Sequence, residues 1–501
     1  MLICDKFQVV NFPFPTPPNK ESLVEAEHCL KTLEALENSA DGKLTPMGKA
    51  MAQYPMSPRH SRLLLTVIKI LKSQQGLARS NFILGYAAAA AAALSFTNPF
   101  LKQSDECDIN GESEENNANP EANDPCERKR RKKHKAMVRE AQEKFCNPTS
   151  DALTIACALQ FFELSESPVE FCRINSLHFK TMEEMSKLRK QLLRLTFHHS
   201  KFCKEFAWNS GDSDDVEQAW RSESSKRPLQ INEEEILGQG ICAGWVDRVA
   251  RRNHMYSRSS RDDQKVRAVR YQSCALNDTI YLHRSSSVAQ VAPELVVYSE
   301  LLNTKRLYMH GVTSIKPGWL LKYASSLCTF SAPLEDPKPY YDPQNDQVYC
   351  YVSPIFSRHN WQLPLHSLPI QDNTSRLQVF ACALLKGDVL PCLRNVKDFL
   401  ALSPSFVFGP ASQRRVGDLL ARMHIDKKLK IGQCISRKLI DSRAALRDAW
   451  KADPNFLYPE IKAWYQDRFH SHFDVKWEQM HQEVLLEGHE LFPKRSKKVK
   501  G

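Results

Sequence analysis

The residues closest to a nucleotide-phosphate grip are Gly42-Lys43-Leu44-Thr45. A phosphate loop needs a glycine-rich turn whose backbone N–H groups and lysine cradle the phosphates. Glu37 stands where the first loop glycine should be, and the stretch reads as a turn before a strand, so a nucleotide site is rejected. Imidazoles and a thiol approach one another in sequence at His198, His199 and Cys203, and three imidazoles do so at His470, His472 and His481. Neither set has the ligand spacing of recurring metal sites, and histidines on helix surfaces account for both. No Gly-x-Ser-x-Gly elbow presents a serine nucleophile. Contact with a polyanion remains. Lys187, Lys190 and Arg194 recur at spacings of three and four, which puts them on one stripe of a helix.

The segment that must carry that stripe runs from Phe171 to Leu195. Thr181 followed by Glu184 predicts a capping box at its helix start. Met182, Met185, Leu188, Leu192 and Leu195 then recur on a neighbouring face that should be buried. A core helix with a solvated basic edge fits these spacings as well as a cationic binding face does. At 501 residues the chain has room for three or four domains. No apolar run reaches the length of a membrane span, and the 15 scattered cysteines form no C-x-x-C pair, which implies reduced thiols. A net charge of +11 suits a polyanionic partner.

The wording of particular stretches is more specific. Phe171-Cys172, Asn175, Leu177, Arg189 and Gln191-Leu192 resemble the ratchet-domain signature of DEAH-box RNA helicases. Phe12-Pro13-Phe14, Leu33 to Leu36, Gly42, Leu44, Thr45, Gly48, Met51, Ala52, Pro55, Pro58 and Arg59 follow, in order, that family's winged helix running into the ratchet. Gly240 to Gly244, Tyr271, His283-Arg284-Ser285-Ser286, Val296 to Tyr298, Tyr308-Met309 and Trp319-Leu320 resemble its OB-fold domain, with Arg284 in place of the usual proline. Beyond Leu327, a hairpin at Tyr341 to Pro354, helices at 377–385, 415–423 and 443–450, and Asp453 to Leu457 resemble the extra domain of the family's nucleolar, ribosome-biogenesis branch. A member of that branch releases a small nucleolar RNA from the small-subunit precursor. Gln413 to Gly417 is similar to the family's arginine-finger motif but stands in the wrong place, and is read as a helix start.

The resemblance implies an α+β multidomain chain without RecA-like domains. The expected parts are a winged-helix remnant (1–60), a helical ratchet domain (61–207) with a disordered insertion (102–147), and a linker (208–232). An OB-fold β-barrel (233–326), a mixed α/β carboxy-terminal domain (327–490) and a basic tail (491–501) complete it. The alanine run from Ala87 reads as a helix with little side-chain information. Arg128, Lys129, Arg130, Arg131, Lys132, Lys133 and Lys135 read as a nuclear-import signal, an RNA-backbone contact or a solvated charge run. On the OB-fold, the resemblance makes Arg284, Ser285, Ser286, Lys305 and Lys316 the candidate RNA contacts, beside Lys187, Lys190 and Arg194. Tyr281 and Tyr308 could stack on bases, although ring area favours their burial in the barrel.

The expected role is the non-motor, RNA-clamping and regulatory half of an ATP-dependent helicase in the nucleolus. Its partners would be pre-ribosomal or small nucleolar RNA, ribosome-assembly proteins or an activator, and RecA-like domains upstream of Met1. ATP and magnesium would bind only in the complete helicase, and no membrane is involved. The alternative is a free-standing RNA- or protein-binding module, a truncated isoform without ATPase activity.

Overall fold

The expected apolar spacings become helices, and several of them pack around one helix of small residues. The structure is a computed structural model that describes residues 15–39, 42–74, 77–100, 140–199, 204–222, 228–253, 269–304, 306–409, 413–427, 436–486 and 491. It falls into two units. The first holds the described residues through Thr329 together with Phe356–Trp361, and the second holds Phe330–Ile355 and those from Gln362 onward.

In the first unit, Asn19 caps α1 (Lys20–Thr32) and Thr45 caps α2 (Pro46–Met51), with a single bridge between Leu36 and Leu44 connecting them. Next come α3 (Pro58–Ser73) and α4 (Ser80–Leu94). Ala87 to Ala93 on α4 are all buried, and α3, α5 (Asp151–Leu164), α7 (Phe179–His199) and α8 (Ser213–Ser222) pack on that helix. The alanine run is therefore the hub of the bundle, because methyl groups let four neighbours approach at once. Between α5 and α7 lies the short α6 (Pro168–Ile174). Helix α9 (Ile231–Gly244) crosses α3 closely through two glycines four residues apart. A Cβ on Gly240 would lie 2.6 Å from Val67 Cγ2, and one on Gly244 would lie 2.6 Å from the Arg59 carbonyl oxygen.

Helix α7 departs from expectation in two places. Thr181 does not form the predicted capping box with Glu184. Its hydroxyl lies 2.7 Å from His178 Nδ1, which also accepts the Thr181 N–H, and Glu184 turns to Lys187. The helix starts three residues earlier than the pattern implied, so the residue before Phe179 supplies the cap. Met182, Met185 and Leu192 are buried as expected, while Leu188 and Leu195 are half-buried. The most enclosed polar group on the helix is Arg189, which is 0% exposed. Its Nη2 donates to Glu163 at 2.6 Å and to Glu217 at 2.9 Å, and its guanidinium lies 4.6 Å from the Trp220 ring. Trp220 Nε1 donates to the same Glu163 carboxylate, so two donors from different elements hold that buried charge.

A seven-stranded sheet completes this part of the unit, in the order β5-β6-β3-β2-β1-β4-β7. The strands are β1 (Val249–Arg252), β2 (Arg270–Ser273), β3 (Thr279–Leu282), β4 (Leu295–Val297), β5 (Glu300–Asn303), β6 (Leu307–His310) and β7 (Thr313–Ser314). The expected barrel is not closed: β5 and β7 stand at opposite edges. The outer edge of β7 is taken by the lead-in to α5. Ser150 bridges Thr313, the Ser314 N–H donates to the Thr149 carbonyl, and the Asp151 N–H donates to the Val312 carbonyl. A strand edge covered in this way has no ladder left to offer another strand. The neighbouring stretches Leu295–Val297 and Glu300–Asn303 accordingly part into β4, beside β7, and β5, at the far edge of the sheet. Helix α10 (Pro317–Tyr323) follows the sheet.

The second unit contains an antiparallel sheet, β8 (Tyr340–Asp342), β9 (Gln347–Val352) and β10 (His366–Pro369), with β9 central. Its inner face meets α11 (Asn373–Lys386), which Asp372 caps and Gly387 ends at φ 78°. Helix α12 (Arg414–Met423) starts directly after Gln413, as read for that stretch. Helices α13 (Arg443–Ala452), α14 (Tyr458–Lys462) and α15 (His470–Glu483) close the core around Trp450, Trp464 and Phe473. No described helix is long and apolar enough to cross a membrane.

Candidate nucleic-acid interface

Strands β3 and β6 run parallel, with Tyr281 opposite Tyr308 and Leu282 opposite Met309. The two-residue alternation of a strand sends Ile280, Leu282 and Met309 into the core. Tyr281, His283, Tyr308 and His310 emerge on the other face, each half-buried. The two tyrosine rings are 6.0 Å apart, His283 stands edge-on to Tyr308 at 5.4 Å, and His310 lies 6.0 Å from His283. The Arg306 guanidinium sits 5.0 Å from the Tyr281 ring centre. The expectation that these tyrosines fill the barrel core is thus reversed. A line of rings with a cation at one end is a surface on which unpaired bases stack without regard to sequence.

The line of rings leads into a cleft of about 520 Å³, where His283 and His310 form part of the wall. Arg59 and His60 on α3, the end of α4, and Asp151 also line it. Arg59 is held by Asp247 through contacts of 2.5 and 2.7 Å and also donates to the Gly244 carbonyl. Burial raises the Asp247 pKa, but the hydrogen bonds and charge of Arg59 outweigh it and hold the carboxyl below its ordinary value. Arg248 donates to the Ser299 carbonyl oxygen. Burial, with Arg59 adding to it, pushes the His60 imidazole down, so this ring is neutral at pH 7 where it stands edge-on to Trp245 at 5.1 Å. With Arg59 paired and His60 neutral, the cleft suits the polar edges of a base or ribose, and phosphates belong at its exposed rim.

Asp151 fixes the loop that supplies one wall. Its carboxylate accepts from the Ser286 hydroxyl at 2.9 Å, the Ser287 N–H at 2.7 Å, the Ser287 hydroxyl at 2.8 Å and the Val312 N–H at 2.9 Å. Beside it, Ser150 accepts the Leu153 N–H as the α5 cap and lies 2.8 Å from the Thr313 hydroxyl. The start of α5 at Thr149-Ser150-Asp151 is therefore also the joint between helices and sheet.

The residues singled out in the sequence do not all meet here. Ser285 and Ser286 line the cleft, but the Ser285 hydroxyl lies 2.6 Å from His283 Nδ1 and Ser286 is committed to Asp151. Both serve loop geometry. Arg284 is exposed on the same loop. Lys316 pairs with Glu235 at 2.5 Å. Lys187 pairs with Glu183 and Glu184 at 3.1 and 3.2 Å, and those hydrogen bonds raise its pKa. Lys190 is half-buried and Arg194 exposed, and none of these three helix residues lines the cleft. Lys305 and the cluster Arg128, Lys129, Arg130, Arg131, Lys132, Lys133 and Lys135 lie outside the described residues. His283, His310 and Arg306 were not singled out as contacts. Two-residue alternation from Tyr281 and Tyr308 would have found all three.

The Gly42-Lys43-Leu44-Thr45 stretch does not fit a nucleotide. The Thr45 hydroxyl donates to the Glu34 carbonyl at 2.6 Å and accepts the Gly48 N–H at 2.9 Å, so it caps a helix.

Four family models match the chain. Residues 26–56 match "Helicase associated domain (HA2), winged-helix" and residues 57–155 match "Helicase associated domain (HA2), ratchet-like". Residues 237–327 match "Oligonucleotide/oligosaccharide-binding (OB)-fold" and residues 393–481 match "DEAH helicase DHX37 C-terminal domain". The chain is 47% identical to the ATP-dependent RNA helicase DEAH13 of Arabidopsis thaliana over 95% of its own length and 37% of that protein. It is 28% identical to the human probable ATP-dependent RNA helicase DHX37, over 94% of the chain and 37% of the relative. Against the probable ATP-dependent RNA helicase DHR1 of Saccharomyces cerevisiae it is 27% identical, over 70% of the chain and 28% of the relative. The chain thus spans between 28% and 37% of the length of these relatives.

Proposed function

Because this chain belongs to the DEAH-box RNA helicases and carries their helicase-associated carboxy-terminal domains, we propose that it is the RNA-clamping, non-motor part of such an enzyme. The observation that carries this reading is the line of Tyr281, Tyr308, His283 and His310 running into the cleft beside Asp151. In this reading the rings hold unpaired bases, Arg306 and Arg284 meet phosphates, and the Asp151 joint keeps sheet and helices in register as the strand moves. ATP and magnesium belong to RecA-like domains outside this chain. The match to the DHX37 carboxy-terminal domain and the likeness to DEAH13 and DHR1 support a role in pre-ribosomal RNA processing and small-subunit assembly in the nucleolus.

Fluorescence anisotropy with a labelled single-stranded oligouridylate tests the clamp. Tyr308→Ala should weaken binding by about five- to a hundredfold, the range of one stacked base. Binding by wild type that Tyr308→Ala leaves unchanged would reject this surface.

A further inference from the structure

Tyr340, Tyr349 and Tyr351 share the outer face of the three-stranded sheet in the second unit, away from Val348, Cys350 and Val352, which point into the core. Tyr340 lies directly opposite Tyr349, their rings 5.9 Å apart and inclined by 23°, and it is 5.4 Å from Tyr351 at 33°. The planes of neighbouring rings are therefore close to parallel, and the three rings pack as a cluster on this face. Their neighbours in register on β10 are Pro369, opposite Tyr349, and Ser367, opposite Tyr351, and both are short. Tyr340 is 36% exposed, a large fraction for a ring in a sheet.

The charge around these rings runs against that of the chain. Between Ser331 and Val352 the sequence holds Glu335, Asp336, Asp342 and Asp346 against one cation, Lys338, in a protein of net charge +11. Asp346 is used internally: it accepts from the Tyr341 hydroxyl and from the N–H groups of Arg443 and Ala444. Asp342 lies two residues from Tyr340 and accepts from Gln344 and Asn345 in the hairpin turn. Glu335 and Asp336 are exposed and form no ion pair among the described residues. They leave the sheet at the tyrosine edge, because the N–H of Leu334, the residue before them, donates to the Tyr351 carbonyl at 2.8 Å.

We propose that this face docks an arginine- or lysine-rich segment of a partner protein. Guanidinium and ammonium groups are attracted to ring faces and to carboxylates alike, whereas RNA phosphates would be repelled by the same rim. Clustered tyrosines with an acidic border thus select a basic peptide. The RNA-binding surface proposed for the first unit plays no part in it.

The test is a titration of the full chain with a labelled peptide of alternating arginine and glycine. A glutamate–glycine peptide and an oligouridylate of similar length serve as comparisons. The basic peptide should bind, and Tyr351→Ala should weaken it by about three- to thirtyfold, the range of one cation–π contact. Glu335→Lys, on an exposed segment where folding is not at stake, should weaken it as well. Tyr308→Ala should leave it unchanged, which separates this site from the RNA clamp. Absence of binding, or binding indifferent to both Tyr351→Ala and Glu335→Lys, would overturn the proposal. So would oligouridylate binding that depends on Tyr351 while peptide binding does not.

Discussion

Replacing Asp151 with alanine should loosen the joint between helices and sheet without touching any ring that faces the cleft. The carboxylate accepts four hydrogen bonds, two from backbone N–H groups of Ser287 and Val312 and two from serine hydroxyls. The hydroxyls can turn to water, because Asp151 is only half-buried. The two N–H groups cannot turn, and each stranded donor costs about 1–3 kcal/mol, which places the loss at about 2–6 kcal/mol. Native-state hydrogen exchange reads this at the affected amides. Protection of Ser287 and Val312 should fall by about thirtyfold or more, at 1.4 kcal/mol for each factor of ten. Asp151→Asn keeps one acceptor oxygen and turns an NH2 group toward a donor, so it should lose about half as much free energy. A change under about threefold at both amides would refute the claim that one carboxylate holds this joint. So would an equal loss spread over the distant helix α7.

Other perturbations give equally definite expectations. Arg189→Ala leaves the Glu163 carboxylate, 3% exposed, without its partner and should destabilise the first unit by about 3–5 kcal/mol. Arg189→Met combined with Glu163→Gln should recover much of that loss in the same chemical denaturation. Gly244→Ala drives a methyl against the Arg59 carbonyl and should lower the melting temperature, whereas Gly318→Ala, where a Cβ meets nothing within 4 Å, should not. Arg59 holds the Asp247 carboxyl below its ordinary value of 3.8 in the folded state. Its contribution is therefore fully present above that pH and is lost as pH falls through the folded value. Arg59→Met should flatten this acid limb of the stability profile, and an unchanged limb would show that the pair does not carry it.

Much of the helical half of the fold was legible because its signals are local. Gln413 to Gly417 marked a helix start, and the spacing of Met182, Met185 and Leu192 marked a buried face. The failures share a cause: they depended on which neighbour a residue would meet. Thr181 looked like a cap until His178, closer to the true helix start, took the role. Lys187 looked like a free cation, but the pair that caps and flanks it, Glu183 and Glu184, already stands in the same helix turn. Arg189 belonged to the family wording, yet nothing local showed that it would be fully enclosed by Glu163 and Trp220 from two other elements. The barrel failed to close because the edge of β7 is covered by a segment about 160 residues earlier, as the Ser150–Thr313 hydrogen bond records. Tyr281 and Tyr308 were placed by ring area, which favours the core. Strand alternation decided otherwise, and counting in twos from Ile280 on one strand and from Met309 on the other would have put both outside.

The most direct test of the account is the salt dependence of single-stranded RNA binding by the full chain, with wild type and Tyr308→Ala measured side by side. The account predicts affinity that falls steeply and log-linearly with salt as phosphate contacts release counterions. It also predicts that Tyr308→Ala shifts the line downward without changing its slope, because a ring contributes stacking and no charge. A flat salt response, or a variant line that coincides with wild type, would contradict the claim that these rings and the adjoining cleft hold RNA.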